Sequence, residues 1–240
     1  MLTRLIHRVV LEVLAKFLMG VSMRFLFVIL LFSSCSAWAL PSSTIPIQFY
    51  YVSTPEVIPF LEAKRAVKHV QGYYRHYFNL ALKVKKFRKQ RDLFQPEINY
   101  IDTALARFIA WYDFTEGKRH YGEITQVITG PLLSDGEWFT AGLGYVGCAR
   151  NTNLLNFSIA YTTLISMDKH DRFVHAKAAI AHEIGHNLNA KHVKDCSLMD
   201  TNLLYCLGNK GKRVPKPSKS SKSEIEKCIK TTTGRQDSSG

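Results

Sequence analysis

The chain has 240 residues, of which 46% are hydrophobic and 12% aromatic, and a formal net charge of +13. With few long polar tracts it can bury one sizeable core, so a single domain is the starting expectation and a chain built of extended polar segments is excluded.

The first segment in chain order is a targeting signal. Residues 25–32 form an unbroken apolar run after Met23-Arg24, and small residues follow up to Ala37-Trp38-Ala39. The run is too short to span a bilayer as a helix, and the alanines suit signal-peptidase cleavage before Leu40. Residues 1–39 are therefore read as a signal peptide, which implies a secreted, extracellular protein with no membrane span. Met23 is read as the initiator and residues 1–22 as an in-frame extension; a longer basic leader carrying Leu5, Val9, Leu14 and Phe17 is the alternative. Removing residues 1–39 takes away four basic residues and one acidic residue, so the mature chain stays strongly basic. It keeps Cys148, Cys196, Cys206 and Cys228, an even number that points to two disulfides in an oxidising compartment, with three pairings open.

Residues 40–240 are read as one catalytic domain. Residues 45–52 are β-branched and aromatic and predict a strand beginning almost at the cleavage site. That leaves no room for a long propeptide, so no latent zymogen is expected. Apolar residues at helical spacing from Ile58 to Leu80 predict a long amphipathic helix over 56–82. Residues 84–87 form a weak strand candidate and 98–112 a second helix. Residues 123–129 are strand-like and stop at Gly130-Pro131. The glycine-bearing segment 139–148 suits an edge strand that another backbone can approach closely. Residues 157–164 are another short strand.

Residues 173–188 predict a third helix, with Ala176, Ile180, Ile184 and Leu188 as its core-facing row and His182 and His186 looking outward into a cleft. The segment 209–222 carries six basic residues and two prolines and reads as an exposed basic loop. Ser223 and Glu226 have capping-box spacing, which predicts a C-terminal helix from about residue 223.

The chemistry lies in residues 182–192, HEIGHNLNAKH. On a helix, His182 and His186 stand one turn apart and can bind one metal ion from the same face, while Glu183 flanks the ion without being a ligand. A tetrahedral catalytic zinc takes three protein ligands and leaves a fourth position for water. His192 supplies the third donor if the chain leaves the helix and turns back, and Asn189, which tolerates a left-handed conformation, sits at the turn. His69, His76, His120, His170 and His175 are assigned no metal.

With Asn189 in place of a glycine, this run resembles the metzincin signature H-E-x-x-H-x-x-G-x-x-H, and Ser197-Leu198-Met199-Asp200 resembles its Met-turn. Residues 120–130 (HYGEITQVITG) and 141–148 (AGLGYVGC) are similar to segments of the adamalysin, or reprolysin, family. The chain departs from that family at Asn189 and at Val193, where an aspartate is usual. The resemblance implies an α/β, zincin-like fold: a twisted mixed sheet with one antiparallel edge strand, flanking helices and a central active-site helix. It implies disulfides Cys148 to Cys228 and Cys196 to Cys206, and Met199 as a floor under the metal.

The implied function is a secreted zinc-dependent metalloendopeptidase acting on polypeptides through a zinc-activated water, with Glu183 as general base. One zinc ion is the implied cofactor; calcium is left open. Gly142, Gly144 and Tyr145 are the candidate substrate-aligning residues. Asn156 begins a glycosylation sequon. The basic loop is a candidate contact for acidic or glycosaminoglycan surfaces, no nucleic-acid partner is expected, and a monomer is. The alternative is a secreted zinc-bearing binding or host-interaction protein with weak or no proteolysis, motivated by Asn189, Val193 and the basic loop.

Overall fold

The three inner strands of the described sheet alternate their buried side chains between two apolar layers. In a computed structural model, residues 43–53, 57–90, 93, 101–117, 122–130, 142–149, 156–162, 168–210 and 213–233 are described, all within the compact unit Pro41–Gly240. The signal-peptide reading, His120, residues 139–141 and residues 163–164 lie outside them.

Five strands, β1 (Ser43–Val52), β2 (Leu80–Gln90), β3 (Ile124–Thr129), β4 (Gly142–Gly144) and β5 (Phe157–Tyr161), form one sheet in the order β2-β1-β3-β5-β4. The first four in that order run parallel, and β4 is antiparallel to β5 at the edge. The helices are α1 (Phe60–Phe78), α2 (Ile101–Thr115), α3 (Lys169–Asn187), α4 (Leu203–Lys210) and α5 (Lys219–Thr233). The expected α/β fold, with its single antiparallel edge strand and central helix, is therefore the one observed.

Because side chains alternate along a strand, Ile45, Ile47, Phe49 and Tyr51 of β1 join Val67, Val70 and Tyr74 of α1 and Ile180 and Ile184 of α3 in one core layer. Tyr50, Val52, Val127 and Phe157 face the other way and pack on Leu105, Phe108 and Tyr112 of α2. All six residues of β3 are buried, as a parallel strand covered on both faces requires.

Four local expectations are corrected. The long helix over 56–82 is shorter: Pro59 holds the N-cap position in extended conformation, and Asn79, at φ 49°, ends α1 in the left-handed region. Leu80 is thereby released into β2, which runs well beyond 84–87. The C-terminal helix begins at Lys219, because Ser218 Oγ accepts the Ser221 N–H at 3.0 Å and caps the helix four residues before the expected start; Ser223 and Glu226 lie inside it. The loop 209–222 is likewise not a free basic loop. Residues 209–210 belong to α4 and 219–222 to α5, Pro215 is buried, and Tyr73 Oη donates to the Pro215 carbonyl at 2.8 Å. On the histidine side α3 is also well covered, with His182 and His186 only 4% and 3% exposed.

Candidate metal centre

Helix α3 starts at Asp168, whose side chain accepts the N–H groups of His170 and Asp171 at 2.8 and 2.9 Å. Its end is a Schellman motif. Asn189 N–H donates to His186 O at 2.9 Å, Ala190 N–H donates to Gly185 O at 3.0 Å, and Asn189 takes φ 73°. Asparagine thus performs the reversal that glycine performs more cheaply, and the chain swings back to bring His192 over the helix.

The three histidines converge through the same atom. The Nε2 atoms of His182, His186 and His192 are 3.1–3.2 Å from one another. His182 Nδ1 lies 2.7 Å from the Leu198 carbonyl and His186 Nδ1 lies 2.9 Å from the Ala190 carbonyl. A carbonyl only accepts, so both Nδ1 atoms carry the proton and both Nε2 atoms present lone pairs. Burial holds both rings neutral, with His182 lowered to about 3 and His186 to about 4, and it lowers His192 as well. Lone pairs meeting at this separation repel unless a cation lies among them, and imidazole nitrogens so spaced suit a zinc ion about 2.0–2.1 Å from each. The donor set therefore fits zinc.

Beneath the site, residues 193–200 double back. Val193 N–H donates to Met199 O at 3.0 Å and Thr201 N–H donates to Val193 O at 3.2 Å, so Val193 serves the turn through its backbone. Met199 is fully buried beside Gly185. Asp200 accepts the Cys196 and Asn202 N–H groups, which outweigh the effect of its burial and keep its carboxyl below the ordinary range. The Leu198 N–H in turn donates to Lys216 O at 3.0 Å.

Glu183 is 1% exposed, and burial pushes its carboxyl well above the usual range. Its Oε2 has no hydrogen-bond partner among the described residues. The carboxylate lies against β4: a Cβ on Gly142 would meet Glu183 Oε1 at 2.6 Å, and one on Gly144 would meet Oε2 at 2.9 Å. The two glycines thus admit the Glu183 side chain, and a Cβ on Gly142 would come closer still to the Ile159 backbone oxygen, which is the close backbone approach expected of this segment. Tyr145, the next residue, is 42% exposed.

Cys148 is joined to Cys228 and Cys196 to Cys206. The first bond ties the segment after β4 to α5, and the second closes the stretch holding Met199 onto α4. The glycosylation expectation fails on burial, because Asn156 is 3% exposed at the start of β5.

Sequence reasoning missed three supporting residues. Tyr74 Oη donates to Ala181 O at 2.7 Å, anchoring α3 one residue before the first ligand. Asn187 Nδ2 donates to Phe157 O at 3.2 Å, fixing the end of α3 to β5. Gly185 makes room for Met199. The glycine inside an otherwise regular helical motif was the only signal of any of these.

The architecture is similar to archaemetzincin from Methanopyrus kandleri, at TM-score 0.54 and 19% identity over 78% of this chain and 96% of that one. It is also similar to metalloproteinase-II from Bacteroides fragilis, at TM-score 0.52 and 16% identity over 78% of this chain and 53% of that one. The chain therefore spans about half the length of the latter. No curated protein matches in sequence. The family description "Metallo-peptidase family M12B Reprolysin-like" matches residues 62–193, more than half of the chain and every zinc-motif residue. With that match and three converging histidines, the chain belongs to the reprolysin-like M12B metallopeptidases.

Proposed function

We propose that this metallopeptidase is a secreted endopeptidase that hydrolyses interior peptide bonds with one zinc ion held by His182, His186 and His192. The observation that carries the reading is the convergence of three Nε2 atoms, those of His182 and His186 unprotonated, beside the buried Glu183, whose Oε2 has no partner among the described residues. When bound, zinc supplies a Lewis acid that polarises the scissile carbonyl and lowers the pKa of water toward neutrality.

Glu183 takes the proton of the attacking water on its carboxylate and returns it to the leaving amine nitrogen as the C–N bond breaks. Water is the nucleophile throughout, and no acyl-enzyme forms. An extended substrate pairs with the edge of β4 beside Tyr145; the position of β4 at the end of the strand order among the described residues supports this. Residues after Met199 line the pocket beyond the cut bond.

Two disulfides support an extracellular setting, since such bonds persist in oxidising compartments. Among the described residues no helix is long and apolar enough to cross a membrane.

The test is zinc content together with cleavage of a denatured protein by the purified chain. About one zinc per chain is expected, with cleavage abolished by chelation and restored by zinc. Cleavage that survives full chelation would overturn the reading. N-terminal sequencing of protein recovered from culture medium tests secretion, with a start at or near Leu40 expected; retention inside the cell would refute it.

A further inference from the structure

Two cavities, of about 470 and 290 Å³, share His69 and follow the outer face of α1 where it meets α3. Together they border α1 from Glu62 to Tyr77, about 22 Å at 1.5 Å per helical residue. The second reaches Val214, in the segment before α5.

Among the described residues the groove carries Arg65, Lys68, His69, His76, His170 and Lys177 against one carboxylate, Glu62. No carboxylate among the described residues pairs with Arg65, Lys68 or Lys177. His69 is held below its ordinary pKa by burial, then by the charges of Lys177 and Lys68, as when cations face one another with no anion between them.

Flat apolar surface lies among these charges. Lys177 Nζ sits 4.8 Å over the Phe173 ring, and the Tyr73 and Tyr77 rings are 4.6 Å apart. Gly72 is exposed in the middle of α1, and a Cβ there would meet nothing within 4 Å. A mid-helix glycine costs about 1 kcal/mol relative to alanine. No packing need explains this one, and its effect is to leave the groove open.

We propose that the groove between α1 and α3 is a binding site for a linear sulfated polysaccharide, built from residues other than those of the metal centre. Its walls are helices whose backbone groups are already bonded, so a ligand is gripped through charges and faces along its length, not by strand pairing. A sulfated polymer offers dense anions to the cations and apolar sugar faces to the aromatic rings. A concave groove does not match a flat membrane surface. The site also moves the expected anion contact away from the loop at 209–222, whose Pro215 and Lys216 carbonyls are engaged in holding Tyr73 and Leu198.

The test titrates the full chain with a heparin oligosaccharide, with polyglutamate of matched length and with phosphatidylserine vesicles. The triple variant Arg65→Gln, Lys68→Gln, Lys177→Gln is expected to bind the oligosaccharide at least about tenfold more weakly, with the slope of log affinity against log salt reduced by roughly two to three. The equally charged control Arg213→Gln, Lys216→Gln, Lys219→Gln is expected to stay within about twofold, the change left by general charge alone. Gly72→Leu, which fills the groove without changing charge and favours the helix, is also expected to weaken binding. Equal losses in the two triple variants, or undiminished binding by Gly72→Leu, would overturn the groove. Polyglutamate or vesicles binding more tightly than the oligosaccharide would overturn the ligand class. Peptidase activity of the variants reports that they are folded.

Discussion

Met199 occupies the space that a side chain at position 185 would need: a Cβ on Gly185 would lie 2.5 Å from Met199 Sδ and 3.2 Å from its Cε. The glycine inside HEIGH is therefore the counterpart of the buried methionine under the histidines. Gly185→Ala forces Met199 to move in a packed core, which typically costs about 1–3 kcal/mol. A lower melting temperature and weaker zinc retention against a chelator are expected together. Unchanged values of both would show that Met199 yields freely and does not define the floor.

Gly144 stands in the same relation to the catalytic base. Its Cβ would approach Glu183 Oε2 at 2.9 Å and the Glu183 backbone oxygen at 3.1 Å. Gly144→Ala is expected to displace the carboxylate and lower kcat by about a hundredfold, near the lower end of what a positioned base contributes, while zinc content stays near that of the parent. Loss of zinc in step with activity would place the defect in the metal site instead of the base.

His175 sets a pH dependence of stability. It is buried in α3, both ring nitrogens lack partners among the described residues, and burial lowers it to about 4. The folded state keeps this ring neutral while the unfolded chain protonates near its ordinary value of 6.5. Stability is therefore lost as pH falls from about 6.5 towards 4, by up to about 1.4 kcal/mol per pH unit from this residue. In metal-free protein His182 and His186 add loss of the same sign, so His175→Leu should flatten the fall in melting temperature over that window without abolishing it. An identical pH profile for the two proteins would contradict a buried neutral His175.

The two disulfides should differ in weight. Cys148 and Cys228 are 80 residues apart and Cys196 and Cys206 are 10 apart. Loop-closure entropy then assigns about 4.5 kcal/mol to the first bond and about 2.7 kcal/mol to the second. Denaturant unfolding of the two double-serine variants checks this. The Cys196–Cys206 pair proving the more important for stability would mean that the Met-turn segment depends on its clasp beyond chain entropy.

The zinc motif was legible because it is local. His182 and His186 follow the helical period, and Asn189 is one of few residues able to make the left-handed step that returns His192. The strands at 45–52 and 123–129 were legible for the same reason. What was hidden depends on tertiary contact. That Gly142 and Gly144 clear Glu183, that Tyr74 reaches Ala181, and that residues 215–216 brace Tyr73 and Leu198 follow from elements meeting across the fold. The false start at Ser223 has another cause. Several serines in 218–223 carry the same capping signal, and only the chain's approach past Pro215 and Pro217 selects Ser218. Asn156 misled because a sequon says nothing of the depth at which β5 begins.

The most direct measurement compares Glu183→Ala with the parent chain for zinc stoichiometry and cleavage of an unfolded protein. If the three histidines hold the metal and Glu183 moves the proton, the variant keeps about one zinc per chain and loses cleavage by at least about a hundredfold. Undiminished cleavage by the zinc-loaded variant would contradict that assignment.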